Sequence, residues 1–217
     1  MLKLQNITVA YPDKTRAIDN LSFTLNAGEN IALIGENGAG KTSLLLAIAG
    51  VLKLAEGTIE APKQIGLVFQ NPDDQLFMPF IYDDVAFGCR NLGLSEELVK
   101  TRVEKTLEQL NISHLKNRSS LKLSCGEKRM AAIATVLSMN PSILMFDEPT
   151  AYLDPKAKRL LAETLKNLRH EKIIATHDMA FAAEICNRTI VLKEGRIMAD
   201  GAKDLLYDKK TMQEYGL

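Results

Sequence analysis

The stretch Gly35-Glu-Asn-Gly-Ala-Gly-Lys-Thr-Ser43 constrains this chain more than any other. It fits G-x-x-x-x-G-K-[ST], with Gly35, Gly40, Lys41 and Thr42 in the fixed places. The apolar run Ile31-Ala-Leu-Ile34 precedes it and Leu44-Leu-Leu-Ala-Ile-Ala-Gly50 follows, so the expected order is strand, glycine loop, buried helix. Glycines let the backbone close around an anion with its N–H groups turned inward, and a helix N-terminus adds its positive dipole end. In such a loop Lys41 reaches the β- and γ-phosphates of a nucleotide and Thr42 offers its hydroxyl to Mg²⁺. A chance glycine-rich turn would have to place a lysine and a hydroxyl residue at a helix start just after a strand.

The 217 residues carry 27 Lys+Arg against 27 Asp+Glu, a balance that gives nucleic acid no general attraction. No apolar run approaches the roughly 18 to 20 residues needed to span a bilayer, and MLKLQNITVAYPDK has no signal-peptide pattern, so a cytoplasmic protein is expected. Cys89, Cys125 and Cys186 are odd in number and far apart, which suits reduced thiols better than disulfides or a zinc site.

Residues 2–10 and 17–25 read as strands around a Tyr11-Pro-Asp-Lys-Thr turn, an antiparallel layer that leads to the phosphate-loop strand. Tyr11 at the tip suits either turn packing or stacking on a base. Strands are expected at 58–61 and 64–69, the second delivering Gln70 into a proline-broken polar loop, Asn71 to Phe77, which is either a plain loop or one that sets a flexible carboxamide at the sheet edge. From Ile81 to about Asn111 the pattern is helical. Ser95 is the expected N-cap, and Leu98, Val99, Val103, Leu107 and Leu110 form an apolar stripe that core packing explains completely.

Ser124 and Glu127 form a capping box at the head of a helix that runs to Met139. Lys128 and Arg129 in its first turns oppose the dipole, so either an anion faces this end or solvent screens the cost. Ile143-Leu-Met-Phe146 reads as a buried parallel strand that ends in Asp147-Glu148, at the edge where open α/β sheets bind ligands. Two adjacent carboxylates there are either solvent-facing loop acids or a metal-side Asp147 beside a Glu148 free to act on water. A helix is expected from Pro155 to about Arg169, a strand over 173–176 that presents His177, a helix over 181–186, a hairpin turning at Glu194-Gly195, and a short polar helix over 202–217.

Taken together and in this order, these segments resemble the ATP-binding subunit of ABC (ATP-binding cassette) transporters over essentially the whole chain. Gln70 matches the Q-loop glutamine, Leu123-Ser-Cys-Gly-Glu the signature usually written LSGGQ, Asp147-Glu148 Walker B, Ala151-Tyr-Leu-Asp154 the D-loop, and His177 the switch histidine. Tyr11 falls at the adenine-stacking aromatic. Residues 69–77, Asp84-Val-Ala-Phe-Gly88 with Asn91-Leu-Gly-Leu-Ser95, and Glu127-Lys-Arg further resemble the ATPases of energy-coupling-factor importers, which take up cobalt, nickel or vitamins.

The resemblance implies an α/β fold: a P-loop NTPase core with an antiparallel β-layer and a helical signature subdomain, roughly 77–140, within a single ABC ATPase domain spanning 1–217. It implies ATP and Mg²⁺ as cofactors. Tyr11, Gly35, Asn37, Gly38, Gly40, Lys41, Thr42 and Ser43 would bind nucleotide, with Ser124, Gly126 and Asp154 completing the site. Thr42, Gln70 and Asp147 would hold the metal, and Glu148, His177 and Gln70 would be catalytic. The implied partners are a second ATPase subunit, identical or related, placed head to tail; a transmembrane transporter subunit; and a membrane substrate-binding subunit. Nucleic acid is not among them. The expected location is the cytoplasmic face of the membrane.

The alternatives are a soluble ABC ATPase acting on a ribosome, DNA or an assembly complex, and a module that binds nucleotide without hydrolysis, against which Glu148 and His177 both stand. Two departures from the family pattern matter. Cys125 replaces a signature glycine and would crowd the approach to phosphate if its φ were positive, and Glu127 stands where glutamine is more common. The chain also runs only a short way past its last hairpin, from which weak dimerisation without nucleotide is expected.

Overall fold

A computed structural model describes residues 1–208 and 213. By its internal contacts the chain forms two units, one of residues 1–67, 142–148 and 169–217, the other of residues 68–141 and 149–168.

In the first unit β1 (Leu2–Ala10) lies between β2 (Arg16–Leu25) and β4 (Glu56–Glu60), antiparallel to both. Leu2 and Leu4 alternate inward, and the register then shifts before Ile7 meets Leu21. Asn6 and Asn20 absorb the irregularity: both adopt left-handed backbone conformations, and the Asn6 side-chain amide donates to Asn20 Oδ1 at 2.9 Å.

The second sheet of this unit has the order β5 (Ile65–Val68), β6 (Ile143–Asp147), β7 (Glu171–Ala175), β3 (Asn30–Ile34), β8 (Arg188–Lys193), β9 (Arg196–Ala202). β3 runs parallel to β7 and β8, and β6 parallel to β7. Their continuous apolar sequences are those of strands covered on both faces, and every residue of β6 is buried. Because β3, β6 and β7 share a direction, the loops that leave Ile34, Asp147 and Ala175 emerge at one edge. The β8–β9 hairpin turns at Glu194 and Gly195, both with positive φ, as the twist of a two-residue turn requires.

In the second unit the helical stretch expected from Ile81 to Asn111 is two helices, α2 (Ile81–Asn91) and α3 (Glu96–Gln109), parted at Gly93 with φ 72°. Ser95 caps α3, its hydroxyl accepting from the Leu98 N–H. Val99, Val103, Leu107 and Leu110 are buried, but Leu98 is 41% exposed and leaves the stripe. α4 (Cys125–Leu137) and α5 (Pro155–Asn167) complete this unit.

In the first unit α1 covers Lys41–Ile48 and α6 Met179–Ile185. Of the helix expected over 202–217, Lys203–Tyr207 forms a 3-10 turn, and residues 209–212 and 214–217 lie outside the described residues. Among the described residues no helix is long and apolar enough to cross a membrane.

Candidate active site

In the first unit β3 ends at Ile34 and the chain turns through Gly35 to Gly40 into α1. Two glycines make this turn possible for different reasons. A Cβ on Gly35 would lie 2.4 Å from the Leu192 carbonyl oxygen. Gly40 has φ 103°, and a Cβ there would lie 2.4 Å from the Ala17 carbonyl oxygen. Gly40→Ala therefore meets both a strained backbone and a clash, and we expect it to lower stability by about 3 kcal/mol, read as a fall in denaturation midpoint. Asn37 and Gly38 form the exposed tip, Gly38 with φ 84° and nothing near its Cβ direction. Gly40 caps α1 without a side-chain acceptor, and the first turn holds no acidic residue. Its leading N–H groups are thus left for an anion.

Lys41 is 7% exposed, and its Nζ donates to the Gly35 carbonyl at 2.7 Å and the Glu36 carbonyl at 3.1 Å. The ammonium is folded back over the loop. Next to it the Thr42 hydroxyl donates to Asp147 Oδ2 at 2.7 Å, although the two residues are 105 apart in sequence. A hydroxyl and a carboxylate so joined are oxygen donors of the kind that could hold a magnesium ion.

Glu148 follows with φ 42°, a conformation uncommon for a residue with a Cβ. Its N–H donates to the Ala175 carbonyl at 2.8 Å, which continues the β6–β7 pairing one step past the strand. Its side chain is directed at three groups. Oε1 is 3.8 Å from Lys41 Nζ, and Oε2 is 2.9 Å from His177 Nδ1 and accepts from the His177 N–H at 3.3 Å. The imidazole is 70% exposed and the carboxylate 9%, so histidine forms the outer and glutamate the inner half of the pair. Tyr11 joins the same unit: its hydroxyl is 2.8 Å from Ser43 Oγ, which sets the ring beside the start of α1. Seven of the sequence-predicted residues (Tyr11, Lys41, Thr42, Ser43, Asp147, Glu148, His177) are thus linked in one unit by the contacts just given.

The second unit carries the others. Ser124 caps α4 in the expected box: its Oγ accepts from the Glu127 N–H, and its own N–H and hydroxyl donate to Glu127 Oε2, both at 2.8 Å. Those two bonds hold the Glu127 carboxyl below its usual range. Cys125 is the first residue of the helix and has no positive φ, so the crowding that a left-handed backbone there would bring does not arise. Gly126 approaches α5 closely, a Cβ there lying 3.1 Å from the Ala157 Cβ. Asp154 caps α5 by accepting from the Lys156 and Ala157 N–H groups at 2.8 and 2.9 Å. Between α4 and α5 lies a cavity of about 630 Å³ whose lining includes Ser124, Gly126, Tyr152, Asp154 and Leu160.

Of the two cations at the start of α4, one meets a carboxylate of the same unit and the other is buried against main-chain carbonyls. Lys128 pairs with Asp73 at 2.6 Å, and Arg129 donates to main-chain carbonyls at Phe69 and Gln70. Gln70 is the residue whose backbone is so held, and the loop after it, far from being loose, contains a 3-10 turn over Pro72–Asp74 capped by Asn71.

The ABC transporter family model matches residues 18–151. This chain belongs to the ABC transporter family. A protein of Geobacter sulfurreducens named as an ABC transporter ATP-binding protein is 46% identical over 214 residues, 93% of this chain and 86% of that one. An energy-coupling factor transporter ATP-binding protein, EcfA, of Carboxydothermus hydrogenoformans is 38% identical, over 100% of this chain and 86% of its own. Among solved structures, cbiO1 from Clostridium perfringens, part of the ABC transporter complex cbiONQ, superposes with a TM-score of 0.83 at 36% identity, covering 98% of this chain and 92% of that one. The fold is that of an ABC ATPase, as the sequence motifs imply, and the chain is the ATP-binding, ATP-hydrolysing subunit of a transporter.

Proposed function

We propose that this subunit drives an energy-coupling-factor importer of a metal ion or vitamin, peripheral to the cytoplasmic face of the membrane. The observation that carries hydrolysis is the cluster in which Glu148 faces both Lys41 and His177 beside the Thr42–Asp147 pair. Similarity to EcfA and to cbiO1 supports the importer.

Lys41 and the amides at the head of α1 bind the phosphates, and Tyr11 flanks the base. Thr42 and Asp147, with Gln70, are the residues that would hold Mg²⁺, which when bound neutralises charge on the phosphates. Glu148 accepts a proton from water, and His177 orients the carboxylate while contacting the γ-phosphate. Ser124, Gly126 and Asp154 act in trans, in a head-to-tail pair with a second ATPase subunit. Fixed donors and charges of this kind act mainly through position and electrostatics.

The test is to tag the chain in its own cell, extract membranes in mild detergent with ATP, and identify what co-purifies. A multi-helix membrane protein together with a small membrane substrate-binding subunit is the expected recovery. Ribosomal or other soluble partners without a membrane protein would overturn the importer and leave the ATPase.

A further inference from the structure

The segment after β5 has the sequence of an exposed polar loop, yet within the second unit α4 grips it at both ends. Arg129 is 1% exposed, and its two terminal nitrogens donate to the carbonyls of Phe69 and Gln70, each at 2.6 Å. Gln75 closes the loop from the other side. Its Oε1 accepts from the Phe69 N–H at 3.2 Å, while its Nε2 donates to the Ala132 carbonyl at 2.9 Å and the Thr135 hydroxyl at 2.7 Å. Phe69 is therefore held at both its N–H and its C=O, and Gln70 at its C=O. Between these points Lys128 anchors Asp73.

The chemistry of the clasp explains its stiffness. A guanidinium is costly to bury unless acceptors meet its donors, so moving the 69–70 backbone would leave a buried charge without these two carbonyls. Its planar fork meets two successive carbonyls at once, which a lysine ammonium cannot reproduce. Gln75 adds a carboxamide whose donor and acceptor ends are both used.

We propose that Arg129 and Gln75 are positioning residues for ATP hydrolysis, which fix from α4 the backbone that carries Gln70. The inference rests on the role given to Gln70 above. The test uses the full chain with Mg-ATP and five variants: Gln70→Ala, Gln75→Ala, Arg129→Lys, and each of the two clasp variants combined with Gln70→Ala. Gln75→Ala and Arg129→Lys are each expected to lower kcat about tenfold with KM for ATP changed less than about twofold. Added to Gln70→Ala, neither should lower kcat further, because residues that act through a common group are not additive. Gln75 is only half-buried, so its variant keeps the test available if Arg129→Lys does not fold. Losses that add to that of Gln70→Ala would make the clasp merely structural and overturn the proposal. If Gln70→Ala lowers kcat and Gln75→Ala does not, the clasp alone fails. An unchanged kcat in Gln70→Ala would remove the role of Gln70 and the clasp with it.

Discussion

Glu148→Gln is expected to lower steady-state ATP turnover about a thousandfold while leaving ATP binding intact, the range over which a positioned general base acts. The carboxamide has the shape of the carboxylate and can still accept from the His177 N–H through its oxygen, so the geometry around residue 148 survives and only the proton acceptor is lost. Removing a negative charge that lies 3.8 Å from Lys41 also leaves that ammonium freer to serve phosphate. ATP should therefore accumulate on the variant, and the two-subunit state should outlast that of the parent on size-exclusion in ATP. Turnover in single and multiple cycles, beside the affinity for a fluorescent ATP analogue, checks both halves. Undiminished turnover would exclude Glu148 as the base.

The contrast between legible and illegible parts of this site follows from where the determinants lie. The phosphate loop and the Asp147-Glu148 pair are local: a strand buried on both faces must read as an apolar run, and the residue that ends it must stand at the sheet edge. The partners of these residues are not local. The family resemblance put Thr42 and Asp147 together, but nothing local to either residue does, and it is the parallel register of β6 against β7, then of β7 against β3, that joins them.

The boundaries of α4 and α5 were legible to within a turn, whereas the polar helix expected over 202–217 is a 3-10 turn over Lys203–Tyr207 among the described residues. α1 begins at Lys41, with the lysine and the hydroxyl residue at the helix start as the motif implies, because the left-handed Gly40 ends the loop. Leu98 follows the period of α3 but lies in its first turn, on the exposed side. Lys128 and Arg129 were legible as a misfit with the helix dipole; their acceptors, 55 and about 60 residues away, were not. Gln75 stood in the 69–77 stretch of the family resemblance, but nothing there gave it a role, since a glutamine in a polar loop acquires one only when α4 supplies the groups it binds. Cys125 shows the reverse case, where a sequence-level concern about its Cβ disappears once the residue is seen to be helical.

Lys41→Met is expected to abolish ATP binding and also to destabilise the protein without nucleotide, and the second effect follows from Glu148. The lysine is 7% exposed and lies 3.8 Å from Glu148 Oε1, an oxygen that has no hydrogen-bond partner among the described residues. Methionine fills the same volume but leaves that carboxylate without its cation, and the Gly35 and Glu36 carbonyls without their donor. Breaking a buried pair from one side costs about 3 kcal/mol, whereas removing both charges is far milder. The double variant Lys41→Met/Glu148→Gln should therefore recover most of the denaturation midpoint lost in Lys41→Met. It should not recover nucleotide, whose affinity falls at least about a hundredfold when a charge-assisted phosphate contact is lost. Thermal denaturation and nucleotide titration of the two variants separate these effects. An equal midpoint in the single and double variants would show that the 3.8 Å pair does nothing for the fold, and that Lys41 is held in place by the loop carbonyls alone.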